Sequence, residues 1–195
     1  MKKIILFAVG GLLLFSGCAK KPDAENSQKT PNLSEKIENL RAQKAAEKKE
    51  KTVGISLENA KIKNGKLSFE IWLDNPDGKK IAAVRSFLTF NPKVFSGDEI
   101  SVPPNSPFHI AAPDENTFDQ KNGLVKIGLA AKIPNNQKTI LLARVQMTRL
   151  LPVFSTIDFY DFGKHTAALE PQKNGVFKNV LKIPKTPALV ISPQK

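Results

Sequence analysis

The chain has 195 residues, a formal net charge of +12, 41% hydrophobic residues and a single cysteine. The apolar fraction suits a folded core, and one cysteine excludes an internal disulfide. His109 and His165 lack a His or Cys neighbour at metal-ligand spacing, and no serine lies in a Gly-x-Ser-x-Gly context. We therefore expect no catalytic site, no metal site and no cofactor, so the chain is not expected to be an enzyme.

The N-terminus has the pattern of an export signal. Lys2 and Lys3 precede the apolar run 4–15, and Ser16-Gly17-Cys18 closes it. The run is shorter than the ~20 residues of a membrane-spanning helix. Residues 14–18, LFSGC, resemble a bacterial lipobox, which implies lipidation of the cysteine. We expect a lipoprotein signal peptide over 1–17 and a lipid on Cys18, so that the mature chain is exported and membrane-anchored; an ordinary secretory signal is the alternative.

Residues 18–52 are predicted to be a polar tether followed by a charged helical spacer. Residues 19–31 are poor in apolar side chains, and 33–51 are rich in Ala, Glu and Lys. Leu33, Ile37 and Leu40 form a narrow apolar stripe. Such a helix would rise about 1.5 Å per residue and hold the following domain away from the membrane.

The stretch Leu67–Phe95 organises the rest of the chain. Its first half alternates apolar and polar residues from Leu67 to Leu73, as a strand with one buried face does. Asn75–Gly78 supplies the proline and glycine of a tight turn. A second alternating run, 82–90, follows on a neighbouring strand. Because each strand has one apolar face, a second sheet must cover them.

Other short alternating runs are expected to form strands at 53–57, 109–111, 124–131, 140–148, 156–160, 179–181 and 188–191. In the run 140–148, Leu141, Ala143, Val145 and Met147 are predicted to share the buried face. The predicted fold is all-β: an antiparallel β-sandwich, jelly-roll-like, of about nine strands over residues 53–195. Its expected core includes Phe69, Ile71, Leu88, Ile127 and Val145.

The order of these runs resembles a cohesin domain, across nearly all of residues 53–192. The matching stretches are FLTFNPKVF at 87–95, NGLVKI at 122–127, LLARV at 141–145, STIDF at 155–159 and NVL at 179–181. Asn91 and Phe95 replace the Asp and Leu that are usual in the family. The resemblance implies a jelly-roll module that binds a partner protein, dockerin in the cellulosome. Together with the lipobox-like residues, it predicts a lipid-anchored, surface-displayed module with an exported or cell-surface partner.

In the family the partner lies across the outward side of the sheet whose strand ends in aromatic-Asp-Pro. The resemblance therefore implies partner binding at Ala83, Arg85 and Phe87. A guanidinium at position 85, on a domain whose residues 53–195 carry a net charge of +7, favours an acidic partner other than a typical dockerin. The alternative is that Arg85 is only a solvated residue of its strand. The basic residues are dispersed along the domain, so nucleic acid is not an expected partner.

Carbohydrate binding is the alternative function, because carbohydrate-binding modules share this architecture. Trp72, Phe87 and Tyr160 could form an aromatic platform for a polysaccharide. Trp72 and Phe87, on adjacent strands, would then form a cross-strand pair. The competing interpretation is that both rings cover a loop or lie under a neighbouring strand. The acidic loop 114–119 could bind calcium, but it lacks the spaced ligands of an EF-hand.

Overall fold

The computed structural model describes residues 37–38, 53–182 and 188–193. The chain divides into two units, Met1–Asn39 and Leu40–Lys195. In the first unit Ile37 and Glu38 are described, and both are helical. The predicted signal peptide, Cys18 and the rest of the spacer lie outside the described residues. Within the described ranges, no helix has the length and apolar character needed to cross a membrane.

The described part of the second unit contains twelve strands: β1 Gly54–Lys63, β2 Lys66–Asp74, β3 Ile81–Thr89, β4 Phe95–Ser101, β5 Phe108–Ala111, β6 Thr117–Asp119, β7 Leu124–Asn135, β8 Thr139–Arg149, β9 Ser155–Phe159, β10 Thr166–Pro171, β11 Phe177–Asn179 and β12 Leu189–Ile191.

These strands form two antiparallel layers around one core. The first sheet has the order β1-β2-β8-β4, and the second has the order β11-β10-β3-β7-β5. Strand β6 also pairs with β7, and β9 joins β3 to β12. Buried side chains from both sheets, among them Phe69, Ile71, Leu88, Ile127 and Val145, belong to one hydrophobic cluster. The predicted antiparallel β-sandwich and its predicted core residues are therefore confirmed.

Three strands were not predicted, which explains the difference between twelve strands and the expected nine. Strand β4 lies at the edge of the first sheet and has a bulge between Gly97 and Glu99 that breaks its alternation. Strand β6 is only three residues long. In β10 the buried positions are Thr166, Ala167 and Ala168, and one polar and two small side chains give a weak hydrophobic signal.

The turn after β2 forms as predicted, but it does not make a hairpin between β2 and β3. The amide of Gly78 donates to the carbonyl of Asn75 at 3.0 Å, and Gly78 has a φ of 62°. The chain then enters the other sheet, where β3 pairs with β7, β9 and β10. The prediction that Trp72 and Phe87 lie on adjacent strands is therefore wrong, since β2 pairs with β1 and β8.

Asn75 fixes this change of sheet. Its side chain is fully buried and makes three hydrogen bonds. Its amide nitrogen donates to the carbonyls of Lys79 (2.9 Å) and Gln137 (3.1 Å), and its oxygen accepts from the Lys79 amide (2.9 Å). These bonds tie the start of the crossing segment, at Lys79, to the turn before β8, at Gln137.

A bulge in β8 changes which leucines face the core. Ile71 pairs with Ala143 and Trp72 pairs with Leu141, so Leu142 has no opposite residue in β2. Leu142 is fully buried and Ile140 is buried, whereas Leu141 is half-buried. The prediction that Leu141 shares the core face with Ala143 is wrong, because the extra residue shifts the alternation by one.

Leu142→Ala is expected to lower the free energy of unfolding by about 2–5 kcal/mol, as core truncations do. Leu141→Ala, the matched control one residue away, is expected to cost less than about 1 kcal/mol. Urea unfolding of the two variants measures both values. Equal losses would contradict the placement of the bulge.

Candidate partner-binding face

The outward side of the second sheet has a shallow groove floored by small residues. In register, Arg85 of β3 lies between Ala167 of β10 and Gly128 of β7. Ala83 lies between Leu169 and Ala130 on the same strands. Because most of these neighbours have short side chains, a groove of about 220 Å³ remains between them.

One wall of the groove is the loop that joins β5 to β6. Asp114 and Asn116 have φ values of 58° and 62°, which give the loop a tight reversal. The side chain of Asn116 bonds to both backbone groups of Gly128, each at 3.3 Å. The Ala112 amide also donates to the Gly128 carbonyl at 2.9 Å. These bonds hold the loop against β7 and place Glu115 over the sheet.

Glu115 and Arg85 form an ion pair in this groove. Nη2 of Arg85 lies 2.6 Å from Oε1 of Glu115. The Arg85 side chain is 44% exposed, whereas the Glu115 side chain is only 9% exposed. Oε2 of Glu115 is buried and, among the described residues, has no hydrogen-bond partner. The guanidinium of Arg85 is therefore paired, and not free as the sequence suggested. The second carboxylate oxygen of Glu115, Oε2, accepts no hydrogen bond from the described residues.

Gly128 leaves the space that the Glu115 carboxylate occupies. A Cβ atom at Gly128 would coincide with Oε2 of Glu115 and would also lie close to the Cβ of Ala112. The requirement is steric, since Gly128 does not have a positive φ. Any larger residue at this position would push Glu115 away from Arg85.

Gly128→Ala is expected to destabilise the domain by about 1–3 kcal/mol, because the new methyl group overpacks the groove. In Glu115→Ala/Gly128→Ala the carboxylate is gone, so the double variant is expected to cost less than the sum of the two single variants. Denaturant unfolding of the four proteins gives the interaction energy. Strict additivity would show that the two residues are not in contact.

Phe87 lies in this sheet but is covered rather than exposed. Strand β3 pairs with β10 as far as Ser86 and with β9 from Leu88 onward. The segment that connects β9 to β10 therefore lies beside Phe87. The ring of His165, in that connection, lies 5.3 Å from the Phe87 ring, and Cζ of Arg85 lies 5.7 Å from it. Phe87 is therefore only 8% exposed.

The other two predicted aromatic residues lie in different places. Tyr160 is 39% exposed and stacks on His165 at 5.4 Å, with His165 Nδ1 held 2.8 Å from Asp161 Oδ2. Trp72 lies on the first sheet, half-buried, and its Nε1 donates to Glu70 at 3.1 Å. The structure therefore brings Phe87 near Tyr160 but not near Trp72, and the three rings form no common platform.

Glu70 is the hydrogen-bond centre of the surface around Trp72. Its carboxylate accepts from Asn59 Nδ2 at 2.6 Å and from Arg144 Nε at 3.0 Å. These hydrogen bonds lower the pKa of Glu70 below its ordinary value of 4.5, and the bond from Asn59 has the largest effect.

The carboxylates of the loop 114–119 point to different partners. Glu115 pairs with Arg85, whereas Asp119 accepts from Asn122 and pairs with Lys126 at 3.0 Å. The bonds from Asn122 and then from Lys126 lower the pKa of Asp119 to about 2. Across the described ranges, no three His, Cys, Asp or Glu side chains are grouped as a metal site would require.

Comparison with known proteins finds relatives only at the level of structure. No protein-family model matches the chain, and no curated protein matches it. Three similar solved structures are the solution structure of CaCohA2 from Clostridium acetobutylicum, a type II cohesin domain from the cellulosome of Acetivibrio cellulolyticus, and the type I cohesin–dockerin complex Coh-OlpA-Doc918 from Clostridium thermocellum.

CaCohA2 has a TM-score of 0.53 and 10% identity, and the match covers 73% of this chain and 91% of that chain. The Acetivibrio domain has a TM-score of 0.49 and 18% identity, with 72% and 94% covered. The Clostridium thermocellum complex has a TM-score of 0.48 and 17% identity, with 65% and 90% covered. The likeness to CaCohA2 concerns the fold, and the second unit of this chain is a cohesin-like β-sandwich.

Proposed function

We propose that this domain is a non-catalytic module that binds an exported or cell-surface protein of the dockerin type. The observation that carries the proposal is the groove on the outward side of the second sheet, with the Arg85–Glu115 pair at its centre. It is the face that the sequence resemblance to cohesins implies. Ala83 and Arg85 line the groove. Phe87 does not line it, because its ring lies beneath the ring of His165.

The size of the groove favours a protein partner. Its volume of about 220 Å³ is below the ~300–1,000 Å³ of a typical small-molecule site. It suits one or two side chains of a partner that covers a wider area of the sheet. The short side chains of Ala83, Ala130 and Ala167 allow the backbone of a partner to approach closely.

The charges of the groove indicate what a partner must supply. Oε2 of Glu115 is buried against Gly128, so the carboxylate holds Arg85 in place and does not itself meet a partner. The exposed part of the Arg85 guanidinium and the neighbouring Lys164 still favour an acidic rim on the partner. Because Glu115 neutralises Arg85 in part, this electrostatic preference is weaker than the sequence alone suggests.

The carbohydrate alternative loses its structural support. An aromatic platform needs rings on one face, but Trp72 lies on the first sheet and Phe87 is covered on the second. Of the proposed rings on the second sheet, Tyr160 alone is exposed.

The proposal includes export and anchoring through Cys18. The lipobox-like residues 14–18 and the position of the only cysteine support this part. One acyl chain holds a protein on a membrane only marginally, whereas two or more hold it firmly. The tether and spacer of residues 18–52 would then join the domain to the bilayer and give it reach.

Ala130→Trp is expected to fill the groove and weaken partner binding about 30-fold or more, as the loss of a hot spot does. The partner is captured from exported proteins of the same organism, with the chain as bait, and its affinity is measured by calorimetry. Gln146→Trp is the matched control, because Gln146 is exposed on the outward side of the first sheet. Equal affinities of the two variants, with circular dichroism unchanged, would remove this face from consideration.

Cys18→Ala is expected to abolish lipidation, because the chain has no other cysteine. Mass spectrometry of the mature N-terminus is expected to find the lipid on Cys18 of the wild-type protein and none on the variant. A wild-type N-terminus without lipid would contradict the anchor and would leave the binding face untouched.

A further inference from the structure

The loop between β8 and β9 is an exposed apolar tip at one end of the sandwich. Its five consecutive residues are Leu150, Leu151, Pro152, Val153 and Phe154, and all five are exposed. Phe154 is 62% exposed and Leu150 is 51% exposed. Clustered exposed apolar residues of this kind mark an interaction site more often than isolated ones do. We call Leu150–Phe154 the apolar tip.

Arg149 holds the apolar tip in a fixed shape. Its Nε donates to the carbonyl of Leu151 at 3.1 Å, and its Nη2 donates to the carbonyls of Val153 (3.0 Å) and Ser192 (3.1 Å). The Leu150 amide donates to the Val94 carbonyl at 2.7 Å. Several backbone polar groups of the loop are therefore satisfied inside the protein, while its apolar side chains face outward.

Three lysines lie close to the apolar tip, two at the neighbouring turn and one beside Val94. The turn between β1 and β2 lies beside it, since the Arg149 amide donates to the Gly65 carbonyl at 2.7 Å, and this turn carries Lys63 and Lys66. Lys93 lies next to Val94, which accepts from Leu150. Lys66 pairs with Asp98 at 3.5 Å, whereas Lys63 and Lys93 form no ion pair within the described ranges. We call Lys63, Lys66 and Lys93 the basic collar.

We propose that the apolar tip and the basic collar dock directly on an anionic phospholipid surface. The side chains of the tip enter the boundary between head groups and acyl chains, and the collar binds the lipid phosphates. This contact is separate from the lipid on Cys18 and from the groove on the second sheet. It would fix how the domain lies on the membrane.

A lipid surface suits this site better than a protein does. A stable protein interface buries about 800 Å² on each partner and makes about one hydrogen bond per 100–200 Å², whereas the tip is five residues long and its Leu151 and Val153 carbonyls are already bonded. Interfacial membrane binding needs only a few inserted apolar residues together with attraction to anionic lipid. The lysines of the basic collar supply that attraction.

The test places a dye in the apolar tip of the full chain. Cys18→Ser removes the only thiol, and Val153→Cys then carries the environment-sensitive dye NBD. With vesicles of phosphatidylglycerol and phosphatidylcholine we expect a blue shift and a rise in emission at residue 153, and little change with pure phosphatidylcholine. The matched control is Val176→Cys, another exposed valine (59% against 43% for Val153), in the turn between β10 and β11 at the other end of the sandwich. It is expected to show no shift.

The basic collar is tested in the same assay. Lys63→Gln/Lys93→Gln is expected to raise the lipid concentration of half-maximal shift about tenfold, because each lysine near an anionic surface contributes to binding. High salt is expected to act in the same direction. Equal responses at residues 153 and 176, no response at 153, or a shift that grows with protein concentration without vesicles would each overturn the proposal; the last would identify a second copy of the chain as the occupant.

Discussion

The buried side chain of Asn75 is the constraint on which the two-layer architecture depends. The chain must leave the first sheet after β2 and enter the second at β3, and it does so through an irregular segment at the edge of the core. An apolar residue at position 75 would remove the side-chain partners of the backbone groups of Lys79 and Gln137. Since β3 is the central strand of the candidate face, the placement of that face follows from this crossing.

The candidate face is shaped by what its side chains lack. Between β3 and β7 the absent side chain of Gly128 admits a carboxylate, and the short side chains of Ala83 and Ala130 leave the groove open. The result is an ion pair that is half exposed at Arg85 and almost covered at Glu115. Burial of one partner strengthens the attraction and leaves the second oxygen unsatisfied.

Much of the fold could be predicted from alternation, and much of the site could not. Leu67–Leu73 alternates without interruption, so β2 and its buried face were predicted correctly. A turn that closes a hairpin and a turn that leads into another sheet use the same residue types. The sequence therefore did not show that Trp72 and Phe87 lie on different sheets. Leu142 lies in a run of apolar residues, so the sequence does not show that β8 has a bulge there. The bulge becomes clear only from the pairing of β8 with β2. Glu115 is distant in sequence from Arg85, and only its loop's turn formers, Asp114 and Asn116, gave a local signal.

Trp72 has a consequence for spectroscopy of this protein. It is the only tryptophan of the chain, and its indole nitrogen is bonded to Glu70 on the first sheet, away from the groove. The lowered pKa of Glu70 keeps its carboxylate ionised, and therefore a good acceptor, into mildly acidic solution. The intrinsic fluorescence of Trp72 therefore reports whether the first sheet is folded, without a label. It is not expected to change when a change of structure is confined to the second sheet.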